Sequence, residues 1–322
     1  MDNLKWGLIG CGDISQKRVA PALRDLENCT LIAVNRKNVA LAAPFAKQFG
    51  APKWYEKWRD LLADEEIGAV YIATPVNLHM EQAIAAAEAG KHVLCEKPMA
   101  LNAEQCDNMI RACNTNGVKL GVSYYRHFYP VINRIKQIIA DEKIGAIVFS
   151  QINAFEKFDR KAGEPRYWLL VKEQAGGGPM MDVGCHRIEV LLNILGPIKN
   201  TTGFIHNVIY DREVEDTATA FFEFDSGATG ILNVTHAAFE SRDTLDIFGT
   251  DGSIHVNVLN HGDITVKTAS GEQKVIIPPH LNLHQPLIES FTHSVLTNAP
   301  VIVDGNLGKK VTIIEDLIYN NE

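Results

Sequence analysis

Leu4-Lys5-Trp6-Gly7-Leu8-Ile9-Gly10-Cys11-Gly12-Asp13-Ile14-Ser15 is the stretch that decides the fold of this 322-residue chain. The apolar run at 6–9 breaks into two glycines spaced by one residue, and 17–26 then reads as helix. The order is strand, tight turn, helix. A buried parallel strand needs an apolar run, and the turn needs glycine where φ is positive or where backbone approaches a ligand closely. The helix N-terminus behind such a turn offers unpaired N–H groups and partial positive charge, which suits a pyrophosphate. As a pattern it is G-x-G-x-x-S, with Ser15 where the dinucleotide fingerprint prefers Gly or Ala, and serine is still small enough for close helix–strand packing. Gly10, Gly12, Asp13 and Ile14 are the expected pyrophosphate cradle. A glycine turn with no ligand is the plain alternative; the strand–helix context favours the cradle.

Working outward, residues 30–34 form a second short apolar strand, followed by Asn35-Arg36-Lys37-Asn38. An Asp or Glu there would bind the adenosine 2′-hydroxyl of NAD. Two cations and no carboxylate leave nothing to repel a 2′-phosphate, and Arg36 can stack on adenine while binding it. NADP is therefore favoured, with NAD possible, and Asn35, Arg36 and Lys37 are expected to contact it. Helix is expected at 39–49 with a kink at Pro44, and a shorter helix at 56–64.

Residues 69–73 read as a buried strand ending at Thr74-Pro75-Val76-Asn77-Leu78-His79, with helix over 79–89. Ligands of open α/β sheets bind beyond the carboxyl ends of the strands, which brings Thr74, Pro75, Asn77 and His79 to the cofactor side. A fourth strand at 91–95 runs straight into Glu96-Lys97-Pro98. A lysine at that strand end points an ammonium into the ligand crevice, where it can hydrogen-bond a substrate hydroxyl and favour its alkoxide as hydride leaves; an exposed Glu-Lys pair is the bland alternative. Helix at 103–114 and strand at 118–122 complete a continuous strand–helix alternation, so a doubly wound parallel sheet is expected.

The composition admits this reading and closes others. Length favours two domains, because single cores seldom grow past about 250–300 residues. With 46% hydrophobic and 22% charged residues the chain is an ordinary globular sequence, and its net charge of −8 argues against nucleic acid as partner. No apolar run approaches the roughly 20 residues that span a bilayer, so no membrane is expected. The six cysteines are scattered without a Cys-x-x-Cys pair, which reads as buried reduced thiols and a cytoplasmic location.

Gly10-Cys11-Gly12, Ala73-Thr74-Pro75 with Asn77 and His79, and Cys95-Glu96-Lys97-Pro98 together resemble the glucose–fructose oxidoreductase / inositol dehydrogenase / rhizopine-catabolism (Gfo/Idh/MocA) family in order and spacing. The resemblance implies a Rossmann domain, here 1–123, and a C-terminal α+β domain, 124–322, with a large, mostly antiparallel open sheet. It also implies NAD(P)-dependent chemistry on sugars, polyols and related compounds. The later sequence agrees. Strand-like periodicity covers 147–154, 217–224, 229–236 and 244–248, with hairpin punctuation at Asp225-Ser226-Gly227 and Thr250-Asp251-Gly252. Helices are expected at 132–140, 190–195, 280–297 and 307–319. A sheet covered on one face leaves the other for a subunit interface, so a homodimer or homotetramer is expected.

Gly176-Gly177-Gly178 leads to Asp182-Val183-Gly184-Cys185-His186. On a helix, Asp182 and His186 stand at i and i+4 and face the same way. An imidazole of reference pKa near 6.5 can exchange a hydroxyl proton. The segment matches the family's Asp-x-Gly-x-His signature, which implies that His186 is the proton donor and acceptor. With no third ligand evident nearby, no metal is expected. Tyr125 and Arg126 resemble the family's pocket-lining segment, and Trp168 lies where it carries substrate-contacting aromatics, although core packing explains a Trp equally well. The catalytic set is then Lys97, Asp182 and His186, and the substrate contacts add Tyr125, Arg126 and Trp168. The rival reading is a cofactor-binding sensor of the same fold without turnover; an intact Lys97, Asp182 and His186 favours the enzyme.

Overall fold

The computed structural model describes residues 3–320. Two compact units divide the chain. The first takes the residues up to Tyr125 together with Leu281–Thr312, the second Arg126–His280 and the residues from Ile313 on.

The first unit is built on a six-stranded parallel sheet of order β3-β2-β1-β4-β5-β6. Its strands are β1 (Leu4–Ile9), β2 (Cys29–Asn35), β3 (Lys53–Tyr55), β4 (Ala69–Ile72), β5 (His92–Cys95) and β6 (Leu120–Val122), joined by α1 (Ala20–Asp25), α2 (Val39–Phe49), α3 (Trp58–Leu62), α4 (His79–Glu88) and α5 (Ala103–Thr115). The central strands are apolar and covered on both faces: Trp6, Leu8, Ile9, Tyr71, Ile72 and Leu94 are fully buried. Strand order reverses between β1 and β4, the switch point at which such sheets take their ligands. The helix behind the glycine turn opens as a π-turn, Ser15–Val19, before α1. Helix α2 continues through Pro44.

The second unit opens with α6 (Pro130–Ala140) and β7 (Ile147–Lys157), then α7 (Lys172–Ala175) and α8 (Cys185–Leu195). Seven further strands follow: β8 (Ile198–His206), β9 (Thr217–Phe224), β10 (Thr229–Thr235), β11 (Ala237–Gly249), β12 (Gly252–Val256), β13 (Asp263–Thr268) and β14 (Gly271–Ile276). They form one sheet of order β14-β13-β12-β11-β7-β10-β9-β8, in which β7 and β10 are parallel and every other pair is antiparallel. Period-two alternation sets its faces. Ala218, Ala220, Phe222 and Phe224 of β9 are buried, as are Leu232 and Val234 of β10, and α6 and α8 bury Ile132, Ile135, Ile188 and Leu191. On the other face a polar row crosses four strands: Thr219 donates to Asn233, Asn233 to Asn153, and Asn153 to Thr244, at 2.9, 3.0 and 2.9 Å.

Two helices close the chain, α9 (Gln285–Thr297) and α10 (Gly305–Tyr319). The 124–322 domain expected from sequence is divided here, because α9 turns its apolar side to the first unit. Its Phe291 ring sits 5.7 Å from that of Trp6, and Cys29 Sγ is 3.2 Å from Thr292 Oγ1. Among the described residues no helix is long and apolar enough to cross a membrane, and all six cysteines are buried with no disulfide between them.

Candidate active site

The glycine turn leaves β1 beside β4. Gly10 has φ +90°, and a Cβ on it would lie 2.6 Å from the Ala73 carbonyl oxygen, so both backbone angle and space demand glycine. Gly12 differs: a Cβ there would meet nothing within 4 Å, which leaves open space above the turn. Ser15 is buried and donates its hydroxyl to the Gly10 carbonyl at 2.6 Å, tying the helix start back onto the turn. Asp13 pairs with Lys17 at 2.8 Å, which engages its carboxylate along the helix. Arg36 is half-buried and Lys37 exposed. Burial, the largest influence, pushes the Cys11 thiol up to about 12, against a weaker opposing pull from the Arg36 charge.

Several residues expected to touch cofactor have side chains engaged elsewhere. Asn35 donates its amide to the Tyr55 and Glu56 carbonyls at 3.1 and 2.8 Å, holding β3 to β2. Thr74 donates its hydroxyl to Gln82 at 2.7 Å. His79 is buried, with Nε2 2.9 Å from the Thr74 carbonyl and Nδ1 3.0 Å from that of Pro98. It thereby bridges the loops that leave β4 and β5, and neither ring nitrogen remains for a ligand. Burial, the largest influence, holds its pKa below 6.5 despite these carbonyls, so at neutral pH the ring donates to one of them at a time. Pro75 fixes the start of the Val76–Leu78 turn. Asn77 stands apart: its Oδ1 is buried without a hydrogen-bond partner among the described residues.

Lys97 is half-buried, two residues beyond the end of β5, and Glu96 lies beneath it. Glu96 accepts the Tyr71 hydroxyl at 2.7 Å and the Lys97 amide N–H at 3.2 Å, and His284 Nε2 lies 3.4 Å from its carboxylate. Burial pushes the Glu96 carboxyl up, but His284, Tyr71 and Lys97 outweigh burial and hold it below its ordinary value. Glu96 is thus a buried anion supporting the lysine loop. The Tyr125 ring packs on the imidazole of His284 at 4.4 Å. Nothing in the spacing of a lone helix-start histidine pointed to this support.

In the second unit the Asp-x-Gly-x-His segment begins as a π-turn, Met180–Gly184, and continues into α8. A carboxylate anchors its start: Glu215 accepts the N–H of Gly178 at 2.7 Å, the N–H of Met180 at 3.1 Å and the Tyr319 hydroxyl at 2.7 Å. Gly178 is forced by that approach, since a Cβ would sit 2.0 Å from the Glu215 carbonyl oxygen. Asp182 and His186 are both buried. Arg166, at φ +68°, places Nη2 3.3 Å from Asp182 Oδ2. Glu156 and His236 also converge on Asp182, a cluster that sequence spacing did not reveal because each residue comes from a different element. Trp168 is half-buried against Phe158, Leu169, Leu170 and Val214, the packing alternative of its two readings. Arg126 is buried.

These residues fit a dinucleotide. The space above Gly12 admits a pyrophosphate, and the buried Asn77 acceptor suits a hydroxyl or amide donor. Comparison with known proteins agrees. Residues 4–124 match the model described as an oxidoreductase family with NAD-binding Rossmann fold, and 132–255 match the GFO/IDH/MocA C-terminal domain. The chain belongs to the Gfo/Idh/MocA family. Among family relatives, 1,5-anhydro-D-fructose reductase of Ensifer adhaerens is 29% identical, covering 91% of this chain and 88% of its own. D-xylose 1-dehydrogenase (NADP(+)) 2 of Haloferax volcanii is 28% identical, covering 99% and 97%. A solved structure of levoglucosan dehydrogenase with NADH and levoglucosan superposes with a TM-score of 0.90 at 27% identity, covering 99% of this chain and 97% of that one. As a Gfo/Idh/MocA protein the chain is an oxidoreductase with a nicotinamide-dinucleotide-binding domain; its relatives include both NADH- and NADP-using enzymes.

Proposed function

We propose that this protein is an NADP-preferring dehydrogenase or reductase that interconverts a hydroxyl and a carbonyl on a sugar, polyol or related small molecule. The observation that carries the reading is Lys97, set on an ionised, buried Glu96 at the carboxyl end of a dinucleotide-type sheet. The bound nicotinamide supplies the hydride acceptor, or donor in the reverse direction. Lys97 hydrogen-bonds the reacting oxygen and stabilises the negative charge that grows on it as the C–H bond breaks. His186 takes the hydroxyl proton, so that one proton and one hydride leave the alcohol and the carbonyl forms. Asp182 orients substrate or the imidazole. The Gly10–Ile14 backbone holds the pyrophosphate, and Arg36 with Lys37 hold the 2′-phosphate.

Supporting the cofactor preference are the two cations Arg36 and Lys37 and the absence of a carboxylate just after β2. The test is turnover: a panel of sugars and polyols assayed by nicotinamide absorbance with each cofactor. The reading expects at least one substrate, used better with NADP(H). No turnover across the panel with either cofactor would favour a binding protein.

The outward face of the eight-stranded sheet exposes Phe204, Phe221 and Phe248. We place a second copy of the chain against it, to be tested by light scattering; a monomer at micromolar concentration would refute that assembly.

A further inference from the structure

His236 sits between β10 and β11, wholly buried, with Nε2 3.4 Å from Glu156 Oε1 and 3.9 Å from Asp182 Oδ2. The ligand atoms of these three residues lie within 4.8 Å of one another, which invites the reading of a divalent-metal site. The other ring nitrogen argues against it. Nδ1 is 3.2 Å from Arg212 Nη2. A guanidinium stays protonated and has no acceptor, so Arg212 donates and Nδ1 accepts. A neutral ring then carries its proton on Nε2, and a protonated nitrogen presents N–H to the carboxylates instead of a lone pair to a metal.

Both partners are held in place. Arg212 also donates to the carbonyls of Val214, Phe158 and Glu215 at 3.3, 3.1 and 2.8 Å. His236 donates its backbone N–H to the Asp216 carbonyl at 2.8 Å and accepts that of Phe158 at 2.8 Å, while its ring packs on the Phe158 ring at 5.0 Å. The charged groups around the imidazole are Asp182, Glu156 and Asp216 on one side of the balance and Arg212 and Arg166 on the other. Burial, the largest influence, lowers the ring's pKa to about 4, so it is neutral at physiological pH, as the tautomer requires. At 3.4–3.9 Å the approach to the carboxylates is longer than a short hydrogen bond, and its effect is electrostatic steering.

We propose that His236 is a positioning residue: Arg212 fixes it as the Nε2–H tautomer, and that N–H, with Arg166, orients the Asp182 and Glu156 carboxylates for reaction. The proposal rests on the proposed function only in giving Asp182 a part in turnover; the tautomer itself does not depend on it.

Two measurements on the full-length protein test it. In 15N-histidine spectra, with the His236 signal identified by its loss in His236→Gln, the ring should show a protonated Nε2 and a bare Nδ1, and Arg212→Met should abolish that single-tautomer pattern. An Nδ1–H tautomer, or a stoichiometric Zn²⁺ or Mn²⁺ ion retained through dialysis and lost in His236→Leu, would overturn the assignment. In kinetics, His236→Leu should lower kcat by about 10- to 100-fold with unchanged cofactor KM, and should shift the acid limb of the rate profile, because the carboxylates facing the imidazole lose a donor. His236→Gln, which keeps an N–H near the Nε2 position, should restore the limb. A wild-type limb and rate in His236→Leu would overturn the positioning role. Should no polyol support turnover, the functional reading fails while the spectra still decide the tautomer.

Discussion

The two glycines of the opening turn make different demands, and exchanging each for alanine should separate them. At Gly10 the added methyl would sit in a left-handed backbone at φ +90°, 2.6 Å from the Ala73 carbonyl oxygen and 2.8 Å from its carbon. The backbone term is about 1–2 kcal/mol and forced packing adds about 1–3 kcal/mol, so Gly10→Ala should destabilise the fold by about 2–5 kcal/mol. At Gly12 no such angle applies and a Cβ meets nothing within 4 Å, so Gly12→Ala should leave stability within about 1 kcal/mol of wild type. If that space is where a pyrophosphate approaches, the methyl occupies it and weakens the dinucleotide by the same packing cost, about 5- to 150-fold in Kd. Denaturant unfolding and fluorescence titration with NADPH and NADH read the two effects separately. Gly12→Ala binding both cofactors as wild type would refute the cradle; Gly10→Ala at full stability would refute the strain at Gly10.

Cofactor preference and acid stability supply the remaining predictions. Charge-assisted contacts of about 1.5–3 kcal/mol each imply that NADP(H) binds at least roughly tenfold tighter than NAD(H), and Arg36→Ala should erase most of that gap in the same titration. The His236 pKa of about 4 against 6.5 means that below pH 6.5 the unfolded chain binds a proton that the folded chain refuses. Its contribution is full above pH 6.5 and falls away by about 3 kcal/mol as the pH drops to about 4; urea titrations across that range should show the slope, and His236→Gln should flatten it. His79→Ala removes the bridge between the β4 and β5 loops, so thermal melts should show a loss of about 1–3 kcal/mol.

The Rossmann sheet was legible because its strands are short apolar runs each followed by turn residues and a helix, and the Gly10–Gly12 spacing located its ligand edge. Strand β3 was not, since three residues of mixed burial carry no period. Nor was β14, whose six residues are all exposed and so carry no buried–exposed alternation. The return of α9 to the first unit was hidden because amphipathic periodicity says that a helix packs, not on what. At the site, the sequence offers the glycines, Arg36, Lys97 and the Asp182–His186 pair as candidates, and their roles are those proposed above. Asn35 and His79 were expected at the cofactor because they flank strand ends, and Glu96 beside Lys97 likewise counts among the cofactor-binding candidates of the sequence; the hydrogen bonds of all three side chains serve the loops, a distinction set in three dimensions. The Glu156, Arg212 and His236 set around Asp182 comes from separate elements and has no sequence spacing to find.

The central claim is that Lys97 and His186 carry hydride and proton transfer in this chain, and single-turnover hydride transfer tests it most directly. With a substrate from the polyol panel, nicotinamide absorbance is followed in wild type, Lys97→Met and His186→Asn after cofactor binding has been matched. The expected result is a fall in the transfer rate of about 10²–10⁴ in each variant with little change in cofactor Kd, and loss of one limb of the pH profile in His186→Asn. Near-wild-type transfer in both variants would contradict the assignment and place the chemistry on other residues.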